Sequence, residues 1–101
     1  RTAIARPKDI TKSLELESLM DDIASVMGGI DILVNNAGIN IPQEALEVTA
    51  KAWDQIMDIN LKAAFFTAQA VGRVMIRQGR GGRIINMTSQ TGTLALVKRS
   101  A

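Results

Sequence analysis

The sequence contains no cysteine, no histidine and no tyrosine, and its only aromatic residues are one Trp and two Phe. Each absence removes a class of function. Without Cys there is no disulfide framework, and without Cys or His there is no zinc site built from those ligands. A Ser–His–Asp triad is excluded within these residues for the same reason. No metal is expected. The lack of Cys fits a reducing compartment, and the cytoplasm is the expected location. No apolar run approaches the roughly 18 residues needed to cross a bilayer, and no signal peptide is visible. With so few aromatics, packing must rest on Ala, Ile, Leu, Val and Met.

What remains is 101 residues, 47% of them hydrophobic. That is one small domain at most, or a piece of a larger one. The first residues, Arg1-Thr2-Ala3, do not include an initiating Met, so an upstream segment is expected. The net charge of +2 is unevenly placed. Every acidic residue lies at or before Asp58, whereas Arg73, Arg77, Arg80, Arg83, Lys98 and Arg99 come late. A nucleic-acid surface would use such a skew, but stacking aromatics and a binding motif are missing. Arginines near the end of a helix answer its dipole and need no nucleic acid.

Periodicity gives the order of elements. Thr2-Ala3-Ile4-Ala5 reads as a short buried strand closed by Pro7. From about Thr11, a plausible N-cap, to Met27 the apolar residues Leu14, Leu19, Ile23, Val26 and Met27 recur at helical spacing. Gly28-Gly29 is a natural stop. Ile30 to Val34 is a second strand, and residues 39–49 form a loop containing Pro42 and a short helical turn. Thr49 can cap a long helix from about Ala50 to Gln78, with Gly79 just past its end. Its stripe is Trp53, Ile56, Met57, Asn60, Ala64, Ala68, Val71 and Met75. Arg83 to Met87 is the last strand. Strand, helix, strand, long helix, strand implies α/β structure with parallel crossovers.

In a parallel α/β sheet, ligands bind beyond the carboxyl ends of the strands. Here the exits carry Asp9, then Asn35-Asn36-Ala37-Gly38, then Thr88 and Ser89. The two amides of the tetrad can tie neighbouring loops, while Ala37 and Gly38 permit close approach of a planar group. The same four residues also make an ordinary turn. Asn60 lies on the apolar stripe of the long helix, where an amide must be paired. It is either a structural pin or the holder of an ordered water. Ser89 can orient a reacting oxygen through its hydroxyl, or simply close a Ser/Thr turn with Thr88, Thr91 and Thr93 nearby. As a nucleophile it has no His to activate it.

Taken together these residues resemble the short-chain dehydrogenase/reductase family. "DILVNNAG" at Asp31–Gly38 is similar to its strand-plus-NNAG signature. "MDINLKAAFFTAQAV" at Met57–Val71 resembles the helix with its catalytic Asn, which falls on Asn60. "GRIINMTSQTG" at Gly82–Gly92 resembles the strand that delivers its catalytic Ser, which falls on Ser89. "KDIT" at Lys8–Thr11 resembles the segment near the cofactor adenine, which places Asp9 and Ile10 there. The segments span essentially the whole chain in order, which is far more specific than any one motif.

The resemblance implies a doubly wound, Rossmann-type sheet of which residues 1–101 hold the third, fourth and fifth strands. It implies hydride transfer between NAD or NADP and a carbonyl/alcohol pair. Ser89 and Asn60 are then catalytic, and Asp9, Ile10, Asn35, Asn36, Ala37 and Gly38 bind the cofactor. The family's glycine-rich turn and its Tyr-x-x-x-Lys pair are not in this sequence. Family spacing places the Tyr about thirteen residues after the Ser, the first position beyond Ala101. In the family's strand order, 3-2-1-4-5-6-7, the first two strands separate the third from the fourth, so these residues alone cannot pair their first strand in its proper place. The isolated chain is therefore expected to fold poorly. The residues from Asn35 to Gly72 resemble members acting on sugar acids, such as gluconate dehydrogenases, and 3-oxoacyl-carrier-protein reductases. The resemblance also implies a small-molecule substrate, no nucleic acid or membrane partner, and a homotetramer formed through the long helix. Two alternatives stand beside it: a catalytically silent binding protein on the same fold, and a short product without a cofactor site.

Overall fold

The structure, a computed structural model, describes residues 1–94. The expected loop beyond Leu94, with Lys98 and Arg99, lies outside the described residues. Helix α1, Leu16–Met27, follows a 3₁₀ turn over Ser13–Glu15 and ends at Gly28, whose φ of +82° suits glycine. Thr11 does not cap it. Its N–H and hydroxyl instead donate to Asp9 Oδ1 at 3.0 and 2.6 Å, closing a tight turn. The 3₁₀ turn winds more tightly than an α-helix and changes which side chains face inward. Leu14 is therefore 97% exposed, and Leu16 takes the core position at 2%. Val26 and Met27 are exposed too, beyond Ala24, the last α1 residue packed on the core.

The long helix begins as expected, with Thr49 Oγ1 accepting from the Ala52 N–H at 3.1 Å. It has three parts: α2, Ala50–Met57; a π-helical segment, Asp58–Ala63; and α3, Ala64–Gln78. The widened middle departs from the 3.6-residue period. Trp53, placed on the buried stripe by that period, is half exposed, while Ala52, Ile56 and Ala63 are buried. Val71 and Met75 of α3 do face the interior. They pack with Ala70 and Val74 against Leu16, Leu19 and Met20 of α1.

Strands β1, Ile32–Asn35, and β2, Arg83–Asn86, are parallel, with Ile32 opposite Arg83 and Asn35 opposite Asn86. Parallel partners need a long crossover, and the helix over residues 50–78 supplies it. The ladder extends at both ends: the Arg83 N–H donates to Asp31 O, and the Met87 N–H to Asn35 O. Thr2–Ala5 is not a strand. A strand exists through its partner, and among the described residues none runs beside this stretch.

Cross-element pairing accounts for much of the charge skew. Arg73 pairs with Glu17 at 3.1 Å, Arg77 with Asp21, and Arg80 with Asp31 at 2.7 Å. Early acids thus meet late bases across α1–α3 and at the start of β1. Exposed pairs of this kind contribute about 0–1 kcal/mol each.

Below the strands, Gln78 acts as a substitute peptide. Its Oε1 accepts from the Ile30 N–H at 3.1 Å, and its Nε2 donates to Ile30 O at 2.8 Å. Arg80 reaches both Asp31 oxygens, at 2.7 and 3.1 Å. That contact holds the Asp31 carboxyl below the usual carboxylate range and raises Arg80. A depressed carboxyl stabilises the fold above its unfolded pKa, about 3.9 for Asp. That stabilisation is lost as pH falls through the lower folded value. Chemical denaturation of the full-length protein at stepped pH is expected to show an acid limb below about pH 4 that Asp31→Asn makes shallower. An unchanged limb in that variant would remove Asp31 from the account.

Candidate functional site

Both strands leave the sheet through an asparagine, and the ladder places these two directly opposite each other. The Asn35 side chain joins three elements. Its Nδ2 donates to Asn86 Oδ1 at 3.0 Å and to Ala64 O, at the start of α3, at 3.1 Å. The strand fork and the helix are thereby held together by one amide.

Asn60 lies in the π-helical segment and is exposed, not buried as the stripe implied. Its Oδ1 accepts from the Ile39 N–H, and its Nδ2 donates to Ile39 O, both at 2.8 Å. Reciprocal bonds to one residue make it a clamp on the loop that follows Gly38. A Cβ at Gly38 would stand 3.4 Å from Asn60 Oδ1, so the clamp and the glycine fit closely. A π-helical turn is a recurrent feature of functional sites, because it interrupts the regular i→i−4 ladder.

These residues line a cleft of about 340 Å³, whose wall includes Asn35, Ala37, Asn60, Phe65, Asn86 and Met87. Ser89 stands beyond it, three residues after Asn86, and is exposed. Its Oγ accepts from the Thr91 N–H at 3.3 Å and from Thr91 Oγ1 at 3.1 Å. The expected Ser/Thr turn is therefore present. The Ser89 hydroxyl is exposed and can turn its proton toward a ligand or toward Thr91 Oγ1.

Asp9 lines a second cleft of about 300 Å³ with Thr11, Ile39, Gln55, Asp58 and Ile59. Hydrogen bonds from the Thr11 hydroxyl and N–H, with Lys12 nearby, keep its carboxyl below the ordinary range. Both bonds fall on Oδ1. Oδ2 is left as an acceptor among the described residues. The Ile10 side chain is partly buried against the α1–α3 core. Asn36 is exposed and lines neither cleft. Asn86 and Asp58 were not singled out from sequence. For Asn86 a signal exists, since each apolar strand ends in Asn at the same register.

The family model for short chain dehydrogenase matches residues 1–101. An NAD-dependent glycerol dehydrogenase of Listeria innocua serovar 6a is 42% identical over 98 residues, covering 97% of this chain and 38% of the relative. A 2-dehydro-3-deoxy-D-gluconate 5-dehydrogenase of Escherichia coli K12 is 42% identical over 89 residues, covering 88% and 35%. A crystal structure of a short-chain type dehydrogenase/reductase from Mycobacterium marinum superposes with a TM-score of 0.84 at 36% identity. It covers 90% of this chain, which in turn covers 37% of that one. The chain thus spans little more than a third of the proteins it matches. It belongs to the short-chain dehydrogenase family.

Proposed function

We propose that these residues form the central part of a longer NAD- or NADP-dependent dehydrogenase/reductase acting on a carbonyl/alcohol pair. The observation that carries this reading is the gathering of Asn35, Ala37 and Asn60 in one cleft at the carboxyl ends of parallel strands, with Ser89 at the neighbouring exit. Two features support the longer domain. The sheet leaves Ile32, Val34, Ile84 and Ile85 exposed, whereas parallel sheets are normally covered on both faces. The radius of gyration is 16.0 Å, against about 13 Å for a compact domain of this length.

The residues present fit a nicotinamide dinucleotide. Asp9 Oδ2 offers an acceptor for an adenine amino group, and the small side chain of Ala37 lines the cleft at the strand ends. Such a dinucleotide supplies or accepts the hydride when bound. The chain's own part is to hold and orient. Ser89 donates its hydroxyl proton in a hydrogen bond to the reacting oxygen. Asn60 fixes the loop after β1 through Ile39, and the second hydrogen of its Nδ2 can still hold a water at the π-helical turn. The proton donor itself, a Tyr by resemblance, is not among these residues.

Glycerol and 2-dehydro-3-deoxy-D-gluconate, named for the two curated relatives, are polyhydroxylated small molecules. They favour a polyol or sugar acid over a 3-oxoacyl thioester as substrate. For a homotetramer, the support is the row of exposed apolar residues Trp53, Leu61, Phe65 and Ile76 along the long helix. The test is nicotinamide absorbance in the purified full-length protein, with NAD and NADP against polyols, sugar acids and 3-oxoacyl thioesters. Turnover with a polyol or sugar acid is expected. No dinucleotide binding and no turnover with any of these would overturn the reading.

A further inference from the structure

We infer that Asn86 is a positioning residue that sets the orientation of Asn35 toward a bound dinucleotide. The inference rests on the proposed function, in which Asn35 contacts the cofactor. It begins at Ala64 O, which as a carbonyl can only accept. The Asn35 atom 3.1 Å from it is therefore the donor, Nδ2. The same Nδ2 lies 3.0 Å from Asn86, which must present its Oδ1. Donor and acceptor roles are thus dictated stepwise, from the helix through β1 to β2. Both hydrogens of the Asn35 amide are used. Its Oδ1, with no partner among the described residues, is the atom left for a ligand donor, and Asn35 and Asn86 both line the cleft.

Two acceptors pin the Asn35 amide at two points. With Asn86 removed, Ala64 O remains as a pivot, and Oδ1 is no longer held in one direction. The consequence falls on cofactor binding through Asn35, not on the reacting oxygen. It is separable from the role of Ser89, although both residues leave the sheet on the same strand.

The test uses the full-length enzyme and steady-state kinetics with the dinucleotide varied. Asn86→Leu is expected to raise the dinucleotide KM about tenfold, the equivalent of one lost hydrogen bond, and by more than any fall in kcat. Asn86→Asp keeps the acceptor and discards the amide donor, so it should restore a KM near that of the wild type. Asn35→Ala should raise KM as well, and Asn35→Ala/Asn86→Leu should be no worse than Asn35→Ala alone. A wild-type KM in Asn86→Leu would overturn the inference, as would additive effects in the double variant. Should the Leu variant fail to fold, Asn86→Asp decides: a KM near wild type supports the inference, and a raised KM defeats it. If Asn35→Ala itself leaves KM unchanged, the cofactor role of Asn35 falls and the inference falls with it. If Asn35→Ala raises KM and Asn86→Leu does not, only the role of Asn86 is lost.

Discussion

Replacing Ser89 with Ala in the full-length enzyme is expected to lower kcat by roughly 10²- to 10³-fold while dinucleotide affinity survives. The expectation follows from how the hydroxyl is committed. Its oxygen accepts from the Thr91 N–H, which anchors it, while its exposed hydroxyl is free to turn its proton toward the reacting oxygen. Removing that donor withdraws a hydrogen bond at the place where charge changes during hydride transfer. The dinucleotide contacts proposed for Asp9 and Asn35 come from other elements and are left in place. Steady-state kcat and a fluorescence titration of the dinucleotide separate the two quantities. Turnover close to wild type would remove Ser89 from the mechanism, and a matching loss of affinity would recast it as a cofactor residue.

The second large effect concerns the core. Leu16→Ala is expected to destabilise the full-length protein by about 2–5 kcal/mol, because a fully enclosed side chain leaves a cavity. Leu14→Ala, two residues away, should shift stability by no more than about 0.5 kcal/mol. Leu16 is 2% exposed and Leu14 is 97% exposed. Urea midpoints measured for both variants check the contrast. Equal losses would mean that the 3₁₀ turn over Ser13–Glu15 does not direct the chain as described.

That pair of leucines shows what a one-dimensional reading can and cannot deliver. The apolar runs of both ladder strands, the Thr49 cap and the stops at Gly28 and Gly79 were legible because each depends on near neighbours. The NNAG tetrad and Ser89 were legible as strand exits for the same reason. Rotational phase was not. A single 3₁₀ turn exchanges Leu14 for Leu16, and α2 buries Ala52 and Ile56 while leaving Trp53 half exposed. Asn60 was located correctly on the helix, yet its partner Ile39 lies 21 residues away and could not be named from spacing. Thr2–Ala5 has strand composition but no neighbour, and composition cannot provide one. Arg77 does lie in the last turn of α3, where the dipole favours it. Its pairing with Asp21, and that of Arg73 with Glu17 and Arg80 with Asp31, joins residues too distant in sequence to be matched by spacing.

The links that join the two halves of the chain share one further property. Ile30–Gln78 spans 48 residues, Asp31–Arg80 spans 49, Asn35–Asn86 spans 51, and Glu17–Arg73 spans 56. All of them close essentially the same loop. The entropy of bringing the halves together is therefore spent largely on the first link, and each later one forms within a chain already closed. Partial structure with only some of these contacts has little to favour it. The two halves should dock in a single slow step, with α1–α3, the β1–β2 ladder and the amide bridge at the cleft appearing together.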